Sequence, residues 1–183
     1  MKKNIIISLL AVVFLIGTVF GYKKINRIFP SRELKTIEKG SEIDFRDGID
    51  ISVSKMRWLS EEEKKVAYTK SGMDSDVLDY DTEIAEITVI LNNNTDKEVK
   101  APMTDLYLES IGIGNGISKE ILNGDPEYYG SLNQTLNPGE KKEIKYPYVI
   151  PSLWFHDKEW EQIKDRDFWL TFSSYPEKTL LCL

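Results

Sequence analysis

The sequence predicts a mainly β protein, an immunoglobulin-like β-sandwich of seven or eight strands with one or two short helical insertions, preceded by one N-terminal transmembrane or signal helix. Three observations predict it. Residues 83–96, EIAEITVILNNNTD, read as a strand with Ala85, Ile87, Val89 and Leu91 on one face and Glu86 and Thr88 on the other. That period of two, rich in β-branched residues, suits a half-buried strand, and the Asn-rich run after it tolerates the backbone of a turn. Short alternating segments separated by turn residues then recur to the C terminus. Lastly, Ile5–Phe20 is interrupted only by Ser8, Gly17 and Thr18, and carries no charge.

The apolar run follows the basic head Lys2-Lys3 and is either a signal peptide or an uncleaved anchor. No cysteine follows it, as a lipoprotein signal would need. Val19-Phe20-Gly21 resembles a weak cleavage site, so secretion after cleavage near Gly21 is the alternative. The length of the run and the bulky Phe20 and Tyr22 favour an anchor over residues 1–22, with membrane contact through Ile5 to Phe20 and the C-terminal domain outside the cell. Residues 23–40 read as a juxtamembrane connector, a solvated stalk or short helix broken at Pro30, and residues 41–183 as the extracytoplasmic domain.

Within that domain, Ile49, Ile51 and Val53 alternate as a strand, with a phase change near Lys55 before Met56 and Trp58. Ser60 and Glu63 form a capping box for a helix that Gly72 ends. Asp74, Asp76, Asp79 and Asp81 crowd the next loop, but the spacing fits no EF-hand, and an exposed acidic loop is expected ahead of a calcium site. Val99 and Ala101 should return antiparallel to the organising strand, and Leu106 and Leu108 begin another. The glycines of IGIGNGIS lie between strand-like segments without a phosphate-facing cation, so a hairpin turn at Asn115-Gly116 is expected and no nucleotide site or other cofactor. Ile117, Ile121 and Leu122 suggest a short strand, and Asp125-Pro126 opens a loop with Tyr128 and Tyr129. Asn137-Pro138-Gly139-Glu140 reads as the type II turn of a hairpin into Ile144, Tyr146, Tyr148 and Ile150. A short helix capped by Asp157, with Trp160 and Ile163 inward, precedes strands near 168–173 and 179–183.

An N-x-T-D turn after a strand (Asn93–Asp96), an L-N-P-G-E turn (Leu136–Glu140) and the aromatic, Pro-containing strand Tyr146–Ile150 together resemble small immunoglobulin-like domains of unknown function from Gram-positive bacteria, carried behind a lipoprotein signal or single anchor. The resemblance spans roughly residues 41–183 and implies an exported sandwich, with no family catalytic residue to carry over. Two departures are the missing lipobox cysteine and the helical insertions at 60–70 and 157–166.

All five charged side chains of residues 1–27 are basic, leaving 19 of the 24 basic residues against all 30 acidic ones in the remainder. So acidic a body does not hold phosphate backbones, and nucleic acid is not an expected partner. Cys182 is the single cysteine and reads as a small apolar residue in a last strand. His156 is the single histidine, and neither Ser152 nor Ser173 is marked as a nucleophile beside it, so no enzyme is expected. The expected function is a membrane-tethered module that binds a protein at the cell surface, with Tyr128, Tyr129, Trp154 and Trp160 as partner-binding aromatics, though the core is the favoured place for Trp154 and Trp160. The alternatives are an envelope or immunity-type accessory subunit acting partly through its transmembrane helix, and a calcium or small-molecule sensor.

Overall fold

The computed structural model describes residues 2–73 and 79–183, with side chains from Ile5 onward. Helix α1 (Lys2–Ile28) runs past the expected Phe20, because nothing in Gly21–Ile28 breaks a helix before Pro30 forces the chain out of it. Its segment Ile5–Ile28 is long and apolar enough to cross a membrane, and none of it is buried in the domain.

Among the described residues eleven strands follow, where seven or eight were expected. β1 (Glu33–Ile37), β6 (Tyr107–Ser110), β7 (Ile113–Gly116), β10 (Trp169–Thr171) and β11 (Glu177–Cys182) form a five-stranded sheet in the order β1-β11-β10-β6-β7. β2 (Ile43–Arg46), β3 (Ile49–Trp58), β4 (Thr82–Asn93) and β9 (Lys141–Pro151) form a four-stranded sheet in that order, and β5 (Val99–Pro102) pairs with β8 (Asn133–Leu136) alone. The connector is thus partly corrected: Glu33–Ile37 is an edge strand lying parallel to β11, from Glu33 beside Glu177 to Ile37 beside Leu181. Alternation of Leu34 and Ile37 with charged residues suits an edge strand whose ladder has one neighbour.

The organising strand is central. β4 pairs with β3 from Ala85 to Asn93 on one side and with β9 from Thr82 to Asn92 on the other. The phase change in β3 is a bulge between Val53 and Lys55, which keeps both Val53 and Met56 toward the core. Ile51, Val53, Ile87, Val89, Leu91, Ile144 and Tyr146 of this sheet meet Leu108, Leu170 and Leu181 of the other in one continuous core. Two edge-on ring pairs, Phe45 with Phe172 and Trp58 with Phe168, tie the layers together.

Several turns differ from expectation. Val99 and Ala101 pair with β8 rather than with β4. The β6–β7 hairpin turns at Ile111-Gly112, where Gly112 takes φ +85°, so Asn115 and Gly116 lie in the strand. Asn137–Glu140 does form its turn, with Gly139 at φ +69° and the Glu140 N–H donating to the Asn137 carbonyl, but it links strands of different sheets. The reason lies in Asn93. Its fully buried side chain donates to the carbonyls of Lys97, Leu136 and Asn137 and accepts from Thr95, while its backbone bonds Gly139 and Glu140. One asparagine therefore fastens the two turn motifs to each other.

The helices form a third layer. α2 (Glu61–Ser71) has the expected capping box at Ser60 and Glu63 and ends at Gly72, φ +70°. Ile121 and Leu122, expected in a strand, lie in α3 (Lys119–Gly124), whose Ser118 cap accepts from the Ile121 N–H. Pro126 opens the single turn α4 (Pro126–Tyr129) instead of a loop. α5 (Asp157–Glu161) starts one residue earlier than expected, with Glu159 accepting from the His156 N–H. Ile163 is buried as predicted, in the following turn.

Candidate functional site

Glu86 and Thr88, expected on a solvent face, are buried. α2, α3 and α4 roof the side of β4 opposite the sandwich core, and Ile84 packs fully buried on that same side. A carboxylate under such a roof needs a partner. It finds one in Arg57, its direct neighbour across the β3–β4 ladder. Arg57 Nε donates to Glu86 Oε1 at 2.8 Å, while its terminal nitrogens donate to Glu63 Oε1 at 2.7 Å and to the Tyr128 hydroxyl at 3.3 Å.

These residues floor a cleft of about 370 Å³. Its walls are Leu59, Val66, Ala67, Ile121 and Tyr129, and Glu62, Lys70, Asp125 and Tyr128 stand at the rim. Lys70 is paired with Asp125, which braces the end of α2 against the start of α4. The volume is at the low end of the range for ligand sites, about 300–1,000 Å³. Glu86 is 3% exposed, and its Oε2 has no hydrogen-bond partner among the described residues. An orphaned buried carboxylate oxygen is costly, so the floor holds an unspent acceptor.

The charges are set by these contacts. Glu86, then Glu63 and Tyr128, raise the Arg57 pKa against the opposing effect of burial, keeping the guanidinium charged. The Ser60 N–H and then Arg57 hold the Glu63 carboxyl below its ordinary value. Burial and then the Glu86 charge push the Tyr129 phenol up, so it stays neutral. The cleft lining thus carries four carboxylates against two cations.

The predicted aromatics divide. Tyr128 is 43% exposed at the rim, with Lys145 Nζ 4.0 Å from its ring centroid. Tyr129, expected beside it at the surface, is buried at 4% exposure, edge-on to Tyr128 with centroids 4.9 Å apart. The α4 turn causes the correction, since successive helical residues point in different directions. Trp154 is exposed, against its expected place in the core, because a 3₁₀ turn at Ser152–Trp154 carries it off the end of β9. Trp160 is half-buried against Phe155. These two lie in a separate region, where Trp160 and Phe155 line a surface hollow with Asp79 and Asp81. Asp74 and Asp76 fall outside the described residues, and no group of metal-ligating side chains occurs among those described. His156 is exposed at the start of α5, and the Ser173 hydroxyl donates to the Glu177 carbonyl.

Arg57 and Glu86 are the site residues that sequence reasoning missed. The signal was a charge in the middle of an apolar strand. Alternation assigned Glu86 to the second face of β4, but nothing local told that a helical layer would cover it.

Residues 33–179 match the family model described as Domain of unknown function (DUF5028). No curated protein matches the sequence. Among solved structures, the chain is similar to an uncharacterized β-sandwich protein from Clostridium difficile, at 12% identity and a TM-score of 0.45, covering 84% of this chain and 96% of that one. It is also similar to YcdA of Bacillus subtilis, described as a candidate lipoprotein, at 13% identity and a TM-score of 0.48, covering 79% of this chain and 38% of that one. A functionally unknown protein from Listeria monocytogenes aligns at 11% identity and a TM-score of 0.46, covering 73% and 71% of the two chains.

Proposed function

The chain belongs to the DUF5028 family, and from that premise we propose that it is a membrane-anchored, extracytoplasmic recognition domain that binds a protein partner at the helix-roofed cleft and performs no chemistry. α1 supports the anchor, since Ile5–Ile28 can span a bilayer. Basic residues on both flanks nearly balance, and the amino-terminal, signal-like position of the segment with the large acidic domain behind it favours an outward-facing C-terminal domain.

The observation that carries the recognition reading is the orphaned Oε2 of buried Glu86 beneath apolar walls. Arg57 directs one N–H from each guanidinium nitrogen to Glu86, Glu63 and Tyr128, and the Glu86 Oε2 beside it is a buried acceptor without a partner among the described residues. A complementary occupant brings a donor, preferably cationic, on an apolar stem. A lysine or arginine side chain of a partner has that form, with its methylenes against Leu59, Val66 and Ile121 and Tyr128 closing over it. A shift of the Tyr128 side chain opens the floor, because its hydroxyl bond to Arg57 is long at 3.3 Å.

The test is an in-cell crosslinking pull-down of the full-length protein from membranes, run beside Tyr128→Ala and Glu86→Gln. The reading expects a stoichiometric partner that both variants lose. A partner retained by both moves the binding surface elsewhere, and no partner in any sample refutes the protein-binding reading.

A further inference from the structure

Only Phe29, Pro30, Ser31 and Arg32 separate the end of α1 from the start of β1. Four extended residues reach at most about 14 Å. The apolar segment of α1 has 24 residues, or roughly 36 Å of helix against a hydrocarbon core of about 30 Å. Its last turns, with Lys23, Lys24 and Arg27, therefore already stand in the headgroup layer. β1 begins no more than a short connector beyond them.

At that end of the five-stranded sheet, the Glu33 N–H donates to the Pro176 carbonyl at 3.0 Å, which pins the start of β1 to the loop before β11. Three large apolar side chains are exposed there: Phe29 at 67%, Leu34 at 63% and Tyr175 at 53%. They gather where the anchor joins the domain, and Arg32 adds a fourth cation to those closing α1. Aromatic and basic residues together suit the membrane interface, where rings sit at headgroup level and cations meet anionic lipid.

We propose that Phe29, Leu34 and Tyr175 form a membrane-contact rim that seats the β1 end of the five-stranded sheet in the headgroup layer of the bilayer spanned by α1. The rim rests on the anchor reading of α1 and not on the cleft. Its occupant is lipid, because the connector is too short to let this end leave the surface while α1 spans. The seat restricts the domain's tilt and turns its far end, with the Ile111 hairpin tip, outward.

The experiment uses full-length protein in vesicles of phosphatidylcholine and phosphatidylglycerol. A nitroxide is placed at position 29, 34, 175 or 111 in chains carrying Cys182→Ser. Collision with oxygen, enriched in bilayers, is compared with collision with a water-soluble nickel chelate. The expected result is a ratio at 29, 34 and 175 several-fold above that at 111. Equal ratios at all four positions, in protein that stays with the vesicles through an alkaline carbonate wash, overturn the rim and leave the anchor standing. Shielding of 34 and 175 from both reagents assigns the surface to a protein neighbour or second copy instead. Release by the wash overturns anchor and rim together.

Discussion

The two sheets turn opposite kinds of outer face to their surroundings. The four-stranded sheet is roofed by α2, α3 and α4, and the charged pair beneath, Arg57–Glu86, includes a carboxylate that is 3% exposed. Among the described residues the five-stranded sheet has no such roof, and its outer face carries Trp169, Glu109 and Lys178, with Trp169 Nε1 donating to Glu109 Oε2 at 3.2 Å and Lys178 paired to the same oxygen. Both faces place a cation, a carboxylate and an aromatic side by side. On the roofed face burial makes the carboxylate dependent on its single cation and leaves an acceptor unspent. On the open face the pair is also largely shielded, at 12% side-chain exposure for Lys178 and 19% for Glu109, but Glu109 has a second donor in Trp169 and keeps some contact with water. The helical roof and the acceptor without a partner beneath it, rather than residue type, separate the candidate site from the other face.

That contrast breaks or sharpens under substitution. Arg57→Leu has the largest expected effect, a loss of about 3 kcal/mol of stability from leaving Glu86 buried and uncompensated, read by urea denaturation. Arg57→Leu/Glu86→Leu should recover much of that loss, since apolar pairs replace buried ion pairs well. A loss below about 1 kcal/mol for the single variant would mean that the two faces do not differ.

Gly124→Ala comes next. A Cβ there meets the Ser71 backbone at 2.6 Å, so α2 and α3 must separate, at a cost of about 1–3 kcal/mol. Amide exchange in α2 should quicken while β10 and β11 stay protected. Ser60→Ala removes the cap of α2 and should cost about 1 kcal/mol with the same locality. Lys178→Met on the open face should cost less than Arg57→Leu, because Glu109 keeps the Trp169 donor and some contact with water.

Acid provides a smaller and gradual test. The Glu63 carboxyl is held below its ordinary value of 4.5 by the Ser60 N–H and by Arg57. A carboxylate depressed in the folded state stabilises it fully above the unfolded pKa, and that contribution fades as pH falls through the folded value. The Tm should therefore fall on acidification below about pH 5, and Glu63→Gln should flatten the slope. A slope unchanged in Glu63→Gln would detach this carboxylate from the stability of the roof.

One of the three roof helices and the rim residue Tyr128 were legible in the chain, whereas α3 was expected as a strand and α4 as a loop. Ser60, Glu63 and Gly72 announce α2 through cap chemistry, which is local. The alternation of β4 and β9, the bulge at Lys55 and the turn at Pro138-Gly139 are local in the same sense. Pairing was less legible. Nothing near Val99 shows that β8 will take it, because Asn93 decides the matter by holding Leu136 and Asn137, 43 and 44 residues further along the chain. Glu33–Ile37 hid as a stalk, since an edge strand keeps its charges in water. Of the site, Tyr128 was visible as an aromatic in a polar segment. Arg57 and Glu86 were not, because their importance arises from helices that arrive from both sides of β4 in sequence.

The most direct test of the cleft is a photo-crosslinking amino acid placed in the full-length protein in cells, at Val66 on the cleft wall and at Leu180 on the open sheet. The account predicts a discrete crosslinked partner from position 66, lost when Glu86→Gln is added, and none from position 180. A partner captured from position 180 and not from position 66 would contradict it and transfer recognition to the face without a roof.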